Sequence, residues 1–416
     1  MRTLTSKLAD IQPETVLVGI DLAEVNVAVA LTYEARQVGR IRFGHNRAGY
    51  DHFLSWLEQM KARTGGRQVL VGMEPTNHYW QLLAAELERR GIPYRLVNPY
   101  TVKKHREGDQ LDRAKNDQRD GFTIADLLRT GKFTFTQRQV GSYAELRQYS
   151  SRYHQLKRLI ARTKIQLRQA VAQTFPELGE AFKDLTGQTA VALLQNQASA
   201  AAIGQQGETA FLQAVRADYQ GSRFQWKKLG RAYALAQSSV GLVETAALQL
   251  AIQGHLQLLK LLEAQLATVC QALLATFLAL PAAKPLLSLG IGAISAALLL
   301  AEIGDPAAFT SAKQLVKLAG IQPSPNQSGK KTNSPTPISR KGRARLRIIL
   351  YFACLRLVQT DEAFAAYYQH LQQRPQNPLA PMQALVVLMH KLLHIAWSLI
   401  RHHTTYDPAR WLAARP

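Results

Sequence analysis

Apolar and polar residues in the first part of the chain alternate in a way that is typical of strands. Residues 16–21 and 25–31 are β-rich runs joined by a tight connection, and a third strand is predicted over residues 40–44. The run at 68–74 is almost wholly apolar, as expected for a strand at the centre of a sheet. A sheet with buried central strands is therefore predicted near the N-terminus.

Amphipathic stretches separate these strands. Residues 47–63 place apolar side chains on one helical face, and residues 79–91 predict a second helix that ends at a glycine. A strand over 94–100, a basic loop and a helix from about Asp117 complete the predicted order. The order β-β-β-α-β-α-β is that of the RNase H-like fold, so an α/β domain of this class is predicted.

Residues 141–280 are predicted to be all-helical. Two long helices are expected, and the first carries an apolar stripe suited to a coiled-coil-like pair. The stripe consists of Leu146, Tyr149, Tyr153, Leu156, Ile160, Thr163 and Leu167. Seven Lys or Arg and no acid lie within residues 146–168, which fits either a solvated face or nucleic-acid contact. The second helix is predicted from about Val243 to Leu280, and residues 187–240 give no assignable pattern.

The last third of the chain combines an apolar stretch with a basic one. A Gly-Ile-Gly turn at 290–292 enters an apolar helix and resembles a helix-hairpin-helix element, although a turn between core helices has the same pattern. Residues 324–347 are predicted to form a loop rich in Ser, Pro and Gly, with seven basic residues and no acid, and helices follow. An α/β plus all-α chain of three domains is thus predicted, at residues 1–140, 141–283 and 284–416.

Net charge narrows the choice of partner. The chain has 51 Lys and Arg against 29 Asp and Glu, a formal net charge of +22, spread through sequence with the pattern of folded domains. Cationic surfaces release counterions from nucleic acid, so a nucleic-acid partner is predicted, with a merely basic soluble protein as the alternative. Cys270 and Cys354 are interpreted as core residues in a reducing cytoplasm. The apolar runs 264–283 and 285–301 are interpreted as buried helices, so no membrane association is expected.

Four carboxylates stand where a metal site could form. Asp21 ends the first strand, Glu74 ends a strand predicted to lie beside it, and Asp117 and Asp120 project from one face of a helix. Such oxygens suit Mg²⁺, and two ions about 3.5–4 Å apart could stabilise both oxygens of a phosphoryl transfer. A single Asp is more often a cap or a surface charge, and Asp112 is a competing helix position.

Two blocks of the sequence resemble a known family. VGID, VGMEPTNHY and LDRAKNDQRDGFTIADLL resemble the DEDD motifs of the insertion sequence one-hundred-and-ten (IS110) family of transposases. The block from LLSLGIGAISAALLLAEIG to QSGKK resembles the second domain of that family. The two blocks span about half of the chain, and Asn77, Asn116 and Gly121 depart from the usual family residues without removing a catalytic group.

The resemblance implies a RuvC-like domain and a site for Mg²⁺, or Mn²⁺, at Asp21, Glu74, Asp117 and Asp120. It places the catalytic serine at Ser328, which would attack a DNA phosphate and form a phosphoserine link. It also implies donor and target DNA, a non-coding bridge RNA, a dimer or tetramer, and a bacterial or archaeal cytoplasm near the nucleoid. The basic residues expected to contact nucleic acid are Lys330, Lys331, Arg340, Lys341, Arg343, Arg345 and Arg347.

The residues by themselves do not exclude other functions. An RNase H-like resolvase or nuclease that uses water would need the acids but not Ser328, and a non-enzymatic nucleic-acid-binding protein would explain the charge alone. An actin-like ATPase would need a second Asp-x-Gly phosphate loop, for which the sequence offers no convincing candidate. The serines that compete with Ser328 are Ser324, Ser334 and Ser339. His390 and His394 have the spacing of a metal pair without a third ligand, so they are interpreted as packed or RNA-facing.

Overall fold

A computed structural model gives the fold of the chain in two compact units, Met1–Gln139 and Val140–Pro416. The described residues are 7–9, 11–75, 78–109, 117–134, 138–196, 199–243, 246–324 and 337–409, without the side chains of 106–109, 117–118 and 196. The regions predicted as the second and third domains both lie within the second unit.

The first unit is built on a five-stranded mixed sheet. Its strands are β1 Thr15–Asp21, β2 Val25–Leu31, β3 Gln37–Gly44, β4 Gln68–Met73 and β5 Tyr94–Leu96. The order across the sheet is β3-β2-β1-β4-β5, with β2 antiparallel to both of its neighbours and with β1, β4 and β5 parallel. The apolar runs of β1 and β4 are buried at the centre, as predicted.

Helices cover both faces of the sheet. The helices of this unit are α1 Arg47–Thr64, α2 Tyr79–Arg89, α3 Pro99–Asp109 and α4 Asp117–Arg129. Phe53 of α1 and Leu83 of α2 join the apolar cluster on one face, whereas Val102 of α3 and Ile124 of α4 join the cluster on the other. The predicted order β-β-β-α-β-α-β is confirmed.

The prediction for residues 94–109 is wrong in part. The strand ends at Leu96, and helix α3 begins at Pro99 where a basic loop was predicted. The Asn98 side chain accepts a hydrogen bond from the Tyr100 amide at 2.9 Å, so Asn98 caps the helix and Pro99 occupies its first turn. Asn followed by Pro is a start signal for a helix that the apolar pattern alone did not reveal.

The regular elements in the described part of the second unit are helices, apart from an isolated β-bridge. Its first helices are α5 Gly141–Thr174, α6 Leu178–Ala181, α7 Gln188–Asn196, α8 Ala200–Gly204, α9 Glu208–Ala217, α10 Trp226–Ala236 and α11 Ala246–Leu278. The rest are α12 Ala283–Leu287, α13 Ala293–Ile303, α14 Ala312–Ala319, α15 Ala344–Thr360, α16 Glu362–Gln373 and α17 Pro381–His402. The stretch that gave no assignable pattern contains the four short helices α7 to α10.

The two long helices α5 and α11 pack along each other in opposite directions. Leu146 near the start of α5 shares a cluster with Phe277 near the end of α11, and Leu167 shares another with Ile252. Both predicted long helices are thereby confirmed. The outer face of α11 still exposes leucines, with Leu250 at 74% exposure.

Two of the described helices, Ala246–Leu278 and Pro381–His402, are long and apolar enough to cross a membrane by length and composition. In the first, 17% of the apolar window is buried, and in the second 50%. Core helices of soluble proteins have the same features, so this is weak evidence for a membrane span. The expected burial is therefore correct for α13, which has eight buried residues, and only partly correct for α11.

Candidate active site

The carboxyl edge of the sheet brings two of the predicted acids side by side. Asp21 is the last residue of β1, and Glu74 directly follows β4. The strands are parallel neighbours, and Ile20 pairs with Met73, so the next residue along each strand is the acid. Adjacent parallel strands lie about 4.8 Å apart, which places the two acids next to each other at this edge.

Both acids lie on the side of the sheet that α4 covers. Side chains alternate between faces along a strand. Leu17 of β1 and Leu70 of β4 belong to the cluster on the α4 face. Asp21 and Glu74 are each four residues further on and therefore fall on that same face.

Three glycines allow α4 to approach the strands very closely. A β-carbon on Gly19 would collide with the backbone of Gly121 and Ala125 in α4, and one on Gly72 would lie 2.7 Å from the Leu128 side chain. A β-carbon on Gly121 would lie 3.0 Å from Val29. The glycine at position 121, which departs from the usual family residue, thus lies where a larger side chain has little room, because this position faces the backbone of β1.

Helix α4 carries the other two predicted acids. Asp120 precedes Gly121 and is buried, with 6% of its surface exposed, whereas Asp117 is the first residue of the helix and its side chain is not described. Asp21, Glu74 and Asp120 all have interactions within the chain. Among the residues with described side chains, no three His, Cys, Asp or Glu form a group that could hold a metal ion. The described acids Asp21, Glu74 and Asp120 thus share one face of the sheet, but their side chains do not by themselves form a group that could hold a metal ion.

Residues 325–336, here called the Ser328 segment, lie outside the described residues. They include Lys330, Lys331 and Ser334. The residues on either side of it are held together by a short antiparallel pairing. The Ser324 amide donates to the Pro337 carbonyl at 2.8 Å, and the Ser339 amide donates to the Gln322 carbonyl at 2.9 Å. Pro323 and Ile338 form a β-bridge between these bonds. The described residues just before and just after this segment are thus held next to each other.

Arg347 links described residues on the two sides of this segment by hydrogen bonds. Its Nη1 donates to the carbonyls of Ala319 at 2.9 Å, Gly342 at 3.2 Å and Arg340 at 3.4 Å. Gly320, which ends α14 with a positive φ of 68°, lies so close that a β-carbon there would be 2.8 Å from the Gly342 amide nitrogen. One side chain therefore joins the end of α14 to the start of α15.

Arg343 is also engaged inside the fold. Its guanidinium donates to the Glu302 carbonyl, and the buried Glu302 carboxylate accepts from Ser150 at 3.1 Å and lies 3.6 Å from Arg147. Burial, together with the nearby Arg147, lowers the pKa of Arg343 to about 10. Sequence reasoning missed Glu302, although an isolated acid inside an apolar helix signals a buried ion pair.

The seven basic residues predicted to contact nucleic acid thus differ in how exposed they are and in whether they are hydrogen-bonded inside the fold. Arg340 and Lys341 are exposed, and Arg345 is half-buried in the first turn of α15. The prediction of a loop through Arg347 is wrong in that α15 begins at Ala344, because apolar residues recur with helical spacing from Leu346 onward. Lys330 and Lys331 are not described.

The other two candidate features of the second unit are present as local structure. Gly290 and Gly292 have positive φ values of 70° and 87° in the turn that leads into α13, and Arg356 donates to the Gly290 carbonyl at 2.9 Å. The rings of His390 and His394 stack with centroids 4.8 Å apart. No third ligand joins them among the described side chains, and both histidines are half-buried on α17.

Known families match both ends of the chain. A family model of DEDD transposases of the IS110 type matches residues 18–176, and a model described as "Transposase IS116/IS110/IS902 family" matches residues 286–369. The first match contains Asp21, Glu74, Asp117 and Asp120, and the second contains Ser328. Together the two models cover more than half of the chain.

Individual relatives include a 42 kDa protein of insertion element IS900 from Mycobacterium paratuberculosis, 33% identical over 30% of this chain and 31% of that protein. The pilin gene-inverting protein of Moraxella bovis is 30% identical over 28% of this chain and 36% of its own length. A 43.6 kDa protein of insertion element IS110 from Streptomyces coelicolor is 25% identical over 71% of this chain and 72% of its own length. The chain thus spans about a third of the first two relatives and most of the third. With both family models matched in order, the chain belongs to the IS116/IS110/IS902 family of transposases.

Proposed function

We propose that the chain is a DNA recombinase that moves an insertion sequence by cutting and rejoining DNA. The observation that carries this proposal is the placement of Asp21 and Glu74 on adjacent parallel strands, on the face that α4 covers with Asp120. Hard oxygen ligands grouped at one sheet edge suit phosphoryl transfer. The sheet order and the site at its carboxyl edge fit a RuvC-like member of the RNase H-like fold.

Asp21, Glu74, Asp117 and Asp120 would together hold Mg²⁺ or Mn²⁺. The metal would stabilise charge on the oxygens of the transferred phosphate when it is bound. The chain itself would contribute a rigid frame, because the glycine contacts fix α4 against β1 and β4. Such preorganisation is what electrostatic stabilisation of a transition state requires.

Ser328 would act as the nucleophile of the cutting step. Its Oγ would bond to a backbone phosphorus and lose its proton, while the bond to the 3′ oxygen breaks and that oxygen leaves as a 3′-hydroxyl. The backbone pairing at Ser324 and Ser339 supports this role, since it fixes the two described ends between which Ser328 lies in the sequence. The exposed Arg340 and Lys341 would bind the phosphate backbone nearby.

The partners would be donor and target DNA, with a bridge RNA of the element as guide. The printed name of the Moraxella relative, a pilin gene-inverting protein, favours recombination over hydrolysis for this chain also. We further propose that a dimer or tetramer assembles in the cytoplasm, with α5 and α11 as a coiled-coil-like pair. The glycine turn before α13 would hold a phosphate in the manner of a helix-hairpin-helix.

The first test is removal of one carboxylate. Glu74→Gln should lower recombination by about a thousandfold or more, because a metal ligand contributes several kcal/mol to the transition state. Thermal stability should hold or rise, since crowded carboxylates repel each other. Glu58→Gln, at an exposed position on α1, is the matched control. Retained recombination in Glu74→Gln would refute the acidic site.

The second test separates a serine nucleophile from water. Incubation with guide RNA and a nicked DNA substrate should give a covalent protein–DNA adduct that survives denaturation. Ser328→Ala should lose adduct and recombination yet bind RNA and DNA, and Ser324→Ala at the base of the segment should keep the adduct. If Ser328→Ala still recombines, the chain is a nuclease-like enzyme that uses water.

A further inference from the structure

We propose that three aromatic rings at the carboxyl edge of the sheet form a stacking site for an unpaired base of single-stranded nucleic acid. The rings belong to His45, which follows β3, and to His78 and Tyr79, where α2 begins. The proposal rests on the proposed function for its class of substrate and adds a binding site that the carboxylates do not provide.

Tyr79 is the central ring of this stack. Its centroid lies 4.4 Å from that of His45, with 13° between the ring planes, and 4.2 Å from that of His78, with 39° between the planes. The His45 and Tyr79 rings are therefore stacked, whereas the His78 ring is in contact with Tyr79 but tilted against it. His78 is exposed, so the stack has a ring that a further planar group can cover.

His45 is held rigidly under this stack. Its Nε2 lies 2.9 Å from the Ala23 carbonyl oxygen, and its Nδ1 lies 3.0 Å from the Tyr50 hydroxyl. A carbonyl can only accept, so Nε2 carries a proton and donates it, and the Tyr50 hydroxyl donates to Nδ1. Because both ring nitrogens are engaged, the platform is ordered before any ligand binds, which reduces the entropy cost of stacking.

The stack lies at the same edge of the sheet as the two acids, on the face that α1 and α2 cover. β3 runs in the same direction as β1, so His45 is at the carboxyl edge with Asp21 and Glu74. Ala23 is two residues from Asp21 and His78 is four residues from Glu74, which limits the Cα separations to about 7 Å and about 14 Å. A single strand that crosses this edge with a phosphate at the acids would therefore have neighbouring nucleotides near the rings.

The surrounding charge suits a nucleic-acid backbone. Arg42 and Arg47 are exposed on either side of His45, and residues 35–50 contain no acid. Arg47 lies 3.1 Å from the buried Glu86 and 4.0 Å from Asp51, and these two acids also interact with Arg89 and Arg90, so the three arginines exceed the two acids by one charge. Aromatic rings combined with cations that follow the backbone are the usual means of binding single strands.

The occupant is a single strand because stacking on His78 requires a free face of a base. Bases inside a duplex have both faces covered by their neighbours, whereas an unpaired base can leave its own stack. Guide RNA and the opened DNA strand share this chemistry. The experiment separates them by using one sequence in both forms.

The test measures binding of a short oligonucleotide that contains a fluorescent purine, as single-stranded DNA, as single-stranded RNA and as duplex. His78→Ala should weaken single-strand binding roughly five- to a hundredfold and abolish the quenching of the purine, with duplex binding unchanged. His78→Phe should restore both because it keeps a ring. His52→Ala, at an exposed histidine of α1, is the matched control.

Each outcome either supports or overturns the proposed stacking site. If His78→Ala loses binding to RNA alone, the rings bind the guide, and if it loses binding to single-stranded DNA alone, they bind the opened substrate. Either result supports the stacking site. Equal binding by His78→Ala and the wild type, or an equal loss for duplex, would overturn it. Glu74→Gln should keep the quenching, so the stacking site can fail or hold independently of the catalytic proposal.

Discussion

The acidic edge of the first unit and the base of the Ser328 segment in the second are held in place by opposite means. At the acidic edge, Gly19 and Gly72 have no side chain. This leaves room for the α4 backbone against Gly19 and for the Leu128 side chain of α4 against Gly72. At the base of the segment, a long side chain fills the gap, and Arg347 holds three backbone carbonyls.

The difference shows which kind of change each region tolerates. At the acidic edge, atoms added at Gly19 or Gly72 would collide with α4, whereas we expect its carboxylates to tolerate replacement by amides of the same shape. The base of the segment depends on one guanidinium, and its neighbours Arg340 and Lys341 are exposed. The predictions below test this contrast, beginning with the largest effect.

Gly19→Ala should be the most damaging single change. The added β-carbon would collide with the α4 backbone at Gly121 and Ala125, and such overpacking costs about 3 kcal/mol or more when backbone must move. Recombination should fall as well, since α4 carries Asp117 and Asp120. Thermal unfolding and a recombination assay measure both effects. Gly254→Ala, at an open helical position, should instead stabilise by roughly 0.5–1 kcal/mol; an equal loss in both variants would contradict the steric explanation.

Arg347→Ala should come next in effect on stability. Three carbonyls lose the single Nη1 donor that they share, and since a hydrogen bond to a charged group contributes about 1.5–3 kcal/mol and two of the three bonds are exposed, a loss of about 2–3 kcal/mol in total is expected. The salt dependence of DNA binding should be unchanged, because the guanidinium faces backbone. Denaturant unfolding and binding at several salt concentrations test this. A flatter salt dependence with unaltered stability would make Arg347 a DNA contact instead.

Arg340→Ala combined with Lys341→Ala should show the reverse behaviour. Both side chains are exposed, so stability should change by less than about 0.5 kcal/mol. The slope of log K against log salt should flatten by up to ~2 if both residues touch phosphates. An unchanged slope would mean that these two residues are solvated and are not part of the DNA-binding surface.

The smallest effect should be a pH dependence in the second unit. Burial lowers the pKa of His390 and of His394, and nearby positive charge adds to the lowering. The unfolded chain, with a pKa of about 6.5, binds protons more readily below that pH, so stability is greatest above about pH 6.5 and falls on acidification. Melting temperatures from about pH 7.5 to about pH 5 measure this. Replacing both histidines with Gln should flatten the curve, and exposed His402→Gln should not.

Much of the fold could be predicted because each strand carries its own signal. The apolar runs of β1, β2 and β4 gave their positions to within a few residues, and the helical stripe gave α5. The placement of Asp21 beside Glu74 followed from two strand ends. These are local patterns, and the parallel pairing of β1 with β4 follows once a helix joins β3 to β4.

Features that depend on distant residues could not be predicted. The stack of His45 on Tyr79 joins residues far apart in sequence, and the contact of Gly19 with Gly121 depends on how α4 crosses the sheet. Arg343 and Arg347 were grouped with exposed basic residues because sequence shows charge but not what a side chain faces. The helix at Pro99 was missed because its start signal is Asn98 and not an apolar period.

The close approach of Ser324 and Pro337 has a practical consequence for engineering. Since Ser324 and Pro337 are hydrogen-bonded to each other, the twelve residues between them can be exchanged as a cassette whose two ends stay at a fixed distance. A corresponding segment from another family member could replace it without altering α14 or α15. Swapping that cassette while keeping Arg347 and the Gly320–Gly342 contact would give chimeras in which the chemistry of the segment is exchanged and the scaffold is constant.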